Sequence, residues 1–215
     1  FDSEKDLAPI AIVASGPMVL EVHPSMPIKS VADLIAYAKE RPGTLNFGSG
    51  GNGTLSHLSL EMLKTRAGID IVHIPYKGTS LALNDLAGAS IQGMFDTLST
   101  SVPFIESHKL RALAVTGAKR STILPDLPTI GESGVPGYVA EAWSALVAPA
   151  GTPPAVVERI RAALTAGLFR PETKEKLAKL GSEPVVSTAA ELAEAIRADK
   201  AKWAEIVKIS GARID

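Results

Sequence analysis

Apolar residues fall along this chain in short runs, separated by polar stretches that carry most of the glycine and proline. Strand-like runs occupy residues 8–13, 19–22, 45–47, 69–74, 91–95, 110–115 and 139–148, with helical periodicity between most of them. Such alternation predicts an α/β fold, a wound sheet of largely parallel strands with helices packed on it. The first helix has its own start and stop. Ser30 is a natural N-cap with Asp33 as its capping-box partner, Val31, Leu34, Ile35 and Ala38 share one face, and Pro42-Gly43 ends the pattern. Thr54 caps a second helix, whose Leu55, Leu58 and Met62 face inward and whose exit is Gly68. Beyond residue 148 the pattern changes to three helices with little strand between them, opened by Thr152-Pro153, by Pro171, and by Thr188 with Glu191. The last carries Leu192, Ile196, Trp203, Ile206 and Val207 at helical spacing, with Trp203 read as a core residue. These helices need a sheet to cover, yet the preceding strands mostly belong to the earlier α/β unit. Either everything packs as one lobe, or part of a second lobe lies outside this chain.

Composition narrows the function classes. A length of 215 residues makes one large domain or two small lobes. With 22 Lys+Arg against 23 Asp+Glu, the net charge of −1 gives no footprint for nucleic acid or an acidic membrane surface. No stretch approaches the roughly 18–20 apolar residues of a spanning helix. The 46% hydrophobic share excludes disorder, and the absence of Cys excludes thiol catalysis, disulfides and Cys-based metal sites. The chain opens at Phe1 without a basic-apolar leader, so any targeting segment is expected to have been removed already.

The strongest local signal is Thr44-Leu-Asn-Phe-Gly48-Ser49-Gly50-Gly51-Asn52-Gly53-Thr54, which reads as a strand, a glycine-rich turn and a helix start. Glycines bring backbone N–H groups close to a ligand, and the helix N-terminus adds about half a positive charge. Together with Ser49, Asn52 and Thr54 this makes a ready site for a carboxylate or phosphate. Equally, the segment can be a tight connection with no ligand. Gly48-x-Gly50-x-x-Gly53 matches the dinucleotide fingerprint, but that reading wants an acidic residue at the far end of the next strand. Asp70 stands at the near end and Lys77 at the far end, which leaves NADP as the only dinucleotide in play. A Walker A loop fails, because Thr54 follows Gly53 where its Lys should stand.

Tyr76-Lys77-Gly78-Thr79-Ser80 is a second junction of the same kind, and adjacent strand ends can share one site. Asp96, after the run at 91–95, lies at a third. It either contacts a ligand or caps the following helix. His57, one turn into the helix after the glycine-rich turn, either reaches a ligand or makes a structural hydrogen bond. No G-x-S-x-G elbow, H-E-x-x-H motif or metal-spaced His pair occurs, and nothing calls for a cofactor or metal. An enzyme therefore has no residues to stand on, and the chain reads as a binder.

The chain resembles the substrate-binding proteins of tripartite tricarboxylate transporters, the periplasmic TctC or Bug family. The matching segments, in order, are Leu7-Ala-Pro-Ile10, Pro24-Ser25 with Lys29-Ser-Val31, Phe47-Gly-Ser-Gly-Gly-Asn-Gly-Thr54 with His57-Leu58, and His73-Ile-Pro-Tyr-Lys-Gly78. They continue through Leu110-Arg-Ala-Leu-Ala-Val-Thr116, Lys119-Arg-Ser121, Leu124-Pro-Asp-Leu-Pro-Thr129 and Gly134-Val-Pro-Gly-Tyr138 to Trp143, Ala148-Pro-Ala-Gly-Thr152 and Lys202-Trp203. The resemblance implies a type II periplasmic binding-protein fold, two lobes that close on a small carboxylate and deliver it to membrane permease subunits. It implies crossings between lobes at residues 13–17 and 140–148, a second, ligand-binding lobe at 13–140, and the remainder of the first lobe at 1–12 and 141–215. Family members begin with a signal peptide and a first-lobe β-α-β region, neither of which precedes Phe1, so the first lobe is expected to be incomplete here. Ser49, Gly51, Asn52, Gly53 and Thr54 carry over as carboxylate contacts, and Tyr76, Gly78, Thr79 and Asp96 as contacts that vary with ligand. An NADP-dependent enzyme, and a sensor relative without a pocket, are the alternatives.

Overall fold

Helix boundaries follow from short-range hydrogen bonds that the sequence encodes directly. The computed structural model describes Asp2 and residues 4–212, so Phe1 and the end of the range 141–215 fall outside the described residues. Ser30 Oγ accepts from the Asp33 N–H at 3.0 Å and opens α1, Val31–Glu40, which buries Val31, Leu34 and Ala38. The Asp33 carboxylate reaches back to the Lys29 N–H, at 2.9 Å, one residue before the cap. Thr54 opens α2, Leu55–Ala67, and Gly68 closes it with φ 60. More of α2 is buried than the pattern suggests. Every residue from Ser56 to Leu63 is inside, so this helix shows polar side chains, not only Leu58 and Met62, to the interior.

Two apolar runs expected as separate strands, 8–13 and 19–22, are one strand, β1, Leu7–Val22. The intervening Gly16-Pro17 looks like a turn, but the glycine is there because the Gly181 carbonyl occupies the space of a Cβ. The remaining strands are β2 (Asn46–Ser49), β3 (Val72–Pro75), β4 (Gly93–Thr97), β5 (Arg111–Val115), β6 (Glu141–Pro149) and the short β7 (Glu183–Pro184). The remaining helices are α3 (Thr79–Ala87), α4 (Leu98–Glu106), α5 (Pro154–Leu168), α6 (Pro171–Lys179) and α7 (Ala189–Ser210).

The chain divides into two units, one from the start to Gly16 with Ala142–Lys202, the other Pro17–Glu141 with the chain from Trp203 onward. In the larger unit the strand order is β3-β2-β4-β1-β5. β2 is parallel to β3 and β4, whereas β1 is antiparallel to β4 and β5, so the sheet is mixed rather than largely parallel. Buried strands read as apolar runs whichever way they point, which is why direction was not visible in the pattern. Phe47, Leu60, Leu63, Phe95 and the fully buried Tyr138 form the main core, against which Trp203 packs. A smaller cluster around Leu83, Leu86, Ile91 and Met94 lies under α3. Thr116 ties the points where the chain enters and leaves this unit. Its Oγ1 accepts from the Met18 N–H at 2.8 Å and donates to the Ala140 carbonyl, while its own carbonyl accepts from the Ala140 N–H at 2.9 Å.

In the smaller unit the first half of β1 pairs with β6 and with β7, through Ala14↔Pro184 and Ser15↔Glu183. Ile10, Ala11 and Leu192 are buried, and the Trp143 indole donates to Asp199 at 2.7 Å. Thr188 and Glu191 form the expected capping box, each accepting the other's N–H at 3.1 and 2.7 Å. Helices α5 and α6 bury no side chain, and Val156, Phe169 and Leu180 are exposed. None of the described helices is long and apolar enough to cross a membrane.

Candidate functional site

Three neighbouring parallel strands, β3, β2 and β4, each run into a helix, so the N-termini of α3, α2 and α4 gather at their carboxyl ends. Each helix start carries about half a positive charge and N–H groups without an intrahelical acceptor. At α2 the N-cap is Thr54, whose Oγ1 faces the His57 N–H at 3.5 Å. At α3 the cap is Gly78, at φ 116, and at α4 it is Thr97. Neither makes a side-chain cap hydrogen bond. This arrangement suits an anion without a guanidinium.

The glycine-rich turn is less open than its sequence implies, because its own groups bind one another. The N–H of Gly50 donates to Ser56 Oγ at 3.2 Å, that of Gly51 to Ser49 Oγ at 3.1 Å, and that of Gly53 to His57 Nδ1 at 3.0 Å. Thr54 Oγ1 donates to the Gly51 carbonyl at 2.7 Å. The turn is thus a prearranged frame, and the N–H groups of Leu55 and Ser56 at the start of α2 have no acceptor within the helix. Gly48, the first glycine of the dinucleotide pattern, is explained by packing. A Cβ there would lie 2.6 Å from Ile91 Cδ1 and 2.9 Å from Ala82 Cβ.

The two junctions meet as expected. The Tyr76 N–H donates to Ser49 O at 3.1 Å and the Gly78 N–H to Gly50 O at 3.2 Å. Gly51 adopts φ 130 with the Tyr76 carbonyl 3.2 Å from its Cβ position, so a side chain there would be both strained and crowded. Among the anticipated site residues, Gly51, Asn52, Gly53, Thr54, Tyr76, Gly78 and Thr79 are all half-buried, and Ser49 is fully buried. The Tyr76 hydroxyl donates to Asp85 at 2.7 Å, and burial with that carboxylate pushes it up to about 12. Asp96 lies apart from the turn's hydrogen-bond network. Its Oδ1 accepts from the Thr97 N–H at 2.8 Å and its Oδ2 from the Thr100 hydroxyl at 2.7 Å, so it braces the first turn of α4 from the residue before the cap. Burial raises its carboxyl above the usual range, against those two hydrogen bonds.

Sequence reasoning missed two members of the frame. Ser56 is the acceptor for Gly50. His73 Nε2 lies 2.6 Å from Ser49 Oγ, and its ring stacks on His57 with centroids 3.7 Å apart. The strand–turn–helix motif supplies no cue for the second, since residue 73 joins the cluster only through β2–β3 pairing. Ser49 and His73 make a hydroxyl–imidazole pair, but Ser49 is 0% exposed and its oxygen is engaged by the Gly51 N–H, so the pair braces the turn. A surface hollow of about 370 Å³, lined by Pro24, Ile105, His108, Arg111 and Leu124 among others, includes none of these residues.

The model of the tripartite tricarboxylate transporter family receptor matches residues 1–212. Protein BugT of Bordetella pertussis is 34% identical over 210 residues, 98% of this chain and 64% of that protein. The chain therefore spans less than two thirds of the length of the curated relatives it matches first. Among solved structures, R. palustris Rpa4515 with adipate superposes with a TM-score of 0.89 at 38% identity, over 99% of this chain and 71% of that one. The periplasmic binding protein BugD superposes with a TM-score of 0.86 at 33% identity, over 99% of this chain and 72% of that one.

Proposed function

The chain belongs to the tripartite tricarboxylate transporter receptor family, and from that premise we propose that it is the cargo-binding part of a periplasmic receptor. Its cargo is a small carboxylate, a dicarboxylate first of all, which it hands to the permease subunits of a membrane transporter. The observation that carries this reading is the meeting of three helix N-termini at the ends of β3, β2 and β4, two of them without a side-chain cap. The adipate of Rpa4515 supports the ligand class.

In this reading Ser49, Gly51, Gly53 and Thr54 shape the site, Asn52 lies at its edge, and the amides that begin α2 and α3 receive a carboxylate by charge-assisted hydrogen bonds. Tyr76, Gly78 and Thr79 form the second wall, and Asp96 sets the start of α4. We assign the cargo lobe to residues 13–140 and the other lobe to 1–12 with 141–202, Trp203 and Ile206 packing on the core of the former. A site of dipoles rather than fixed charges suits a carrier, because it permits release as well as capture.

Thermal melts with adipate, malate, citrate, an aromatic carboxylate and NADP test the reading. A ligand at 100 times its dissociation constant adds roughly 2.7 kcal/mol, so a carboxylate of the right class raises the melting temperature and NADP does not. A shift with NADP, or with none of the carboxylates, overturns it.

A further inference from the structure

The Gly53 amide is the feature of the turn that depends on a titratable group. Its N–H donates to His57 Nδ1 at 3.0 Å, so Nδ1 carries no proton and the ring is the Nε2–H tautomer. His57 is the last member of a bracket that also holds Gly50 through Ser56 and Gly51 through Ser49. Its ring cannot drift, because it lies flat on His73 with 6° between the planes, and His73 is held by Ser49 Oγ.

We infer that His57 is a positioning residue of the carboxylate site: its unprotonated Nδ1 holds the Gly53 amide, and so the bend at residues 52–54 that sets the start of α2. This rests on the carboxylate reading. The residue sits behind the turn, 5% exposed, and acts on the ligand only through the backbone. Protonation of Nδ1 places a second donor against the Gly53 N–H and releases the bend. The same ring thus makes binding pH-dependent, with capture favoured where the imidazole is neutral.

The charged and titratable groups around the ring set its resting state. From α2 itself, Glu61 Oε1 is 3.9 Å from His57 Nε2 and is held by Lys64 at 2.8 Å. From β3 there is His73, stacked on the ring, and from β2 the uncharged Ser49 that holds it. Burial pulls the His57 imidazole below its ordinary value, with Glu61 opposing and Lys64 adding to the effect. His73 is pulled down to about 4 by burial, and beyond that by His57 and Lys64. Both rings are neutral at pH 7.

The test is titration calorimetry of the whole chain with adipate, run on wild type, His57→Ala and His57→Asn between pH 7.5 and 4.5. In the Asn variant Oδ1 stands where Nδ1 stood and accepts at any pH in this range. At pH 7.5 His57→Ala binds about tenfold more weakly, one hydrogen bond's worth of alignment, and His57→Asn is restored to within about threefold of wild type. On acidification wild type loses affinity faster than His57→Asn, which cancels the titration of the ligand itself. Equal affinities in all three, or parallel pH curves for wild type and the Asn variant, overturn the inference. Hydrogen exchange of the Gly53 amide, followed without ligand, separates this outcome from a failure of the carboxylate reading. Protection that falls in His57→Ala, and at low pH in wild type but not in His57→Asn, supports the positioning role even if no carboxylate binds. Protection indifferent to all three changes refutes it.

Discussion

Glu21, next to the last residue of β1, is a buried carboxyl with one partner. Ser101 Oγ donates to its Oε1 at 3.0 Å, and Oε2 has no hydrogen-bond partner. Burial pushes its pKa up to about 8 from 4.5, with the Ser101 hydrogen bond opposing and nearby Asp96 adding to the rise. A folded pKa above the unfolded one means stability that is fully present below pH 4.5 and is lost as the pH rises towards 8. Glu21→Gln removes that loss. We expect it to be more stable than wild type by on the order of 2–4 kcal/mol at pH 7.5, with the gap nearly closed at pH 4.5, as read from urea midpoints. A gap that does not change with pH would show that Glu21 is already compensated. Gly48 supplies the opposite case, a residue whose lack of a side chain is the function. Gly48→Ala pushes a methyl into Ile91 and Ala82 and should cost about 1–3 kcal/mol in a thermal melt, with no specific effect on nucleotide. A neutral substitution there would show that Ile91 and Ala82 can give way and that packing does not account for the glycine.

At the scale of elements, the start of α2 is where stability meets the proposed carboxylate site. Thr54→Ala removes the cap facing His57 and the bond to the Gly51 carbonyl, so it should cost about 1 kcal/mol of stability and weaken carboxylate binding together. Loss of stability with unchanged affinity would leave Thr54 a cap alone. The caps at Ser30, Thr54 and Thr188 were legible in the sequence because capping involves residues three apart, and so was the helix exit at Gly68. The glycine-rich turn was legible as a strand-to-helix junction, and the meeting of residues 49–54 with 76–79 followed from adjacent strand ends. Strand order and direction were not, since they rest on pairings such as Phe47↔Gly93 and Val19↔Asp96 between distant parts of the chain. The inward orientation of the turn's amides was hidden for the same reason. It depends on the side chains of Ser56 and His57 turning back from the helix, braced by a histidine on another strand. The Gly16-Pro17 break misled because a close backbone approach and a turn ask for the same residue.

The two tryptophans report on the two units of the molecule separately. Trp143 belongs to the smaller unit and Trp203 to the larger. The larger unit holds both apolar clusters, whereas α5 and α6 of the smaller bury nothing. We therefore expect Trp143 emission, read in Trp203→Phe, to shift at a lower urea concentration than Trp203 emission, read in Trp143→Phe. Coincident curves would mean that the chain unfolds as one cooperative body. Thr116 bears on the larger unit in another way. Because its hydroxyl and carbonyl hold Met18 and Ala140 together, the stretch from Pro17 to Glu141 starts and finishes at one spot. A segment with adjoining ends is an insert: it can be closed on itself by a short linker, reopened at a surface loop as a circular permutant, or moved into a host protein without stretching either chain. Recombination can therefore exchange such a segment as a cassette without disturbing the chain on either side.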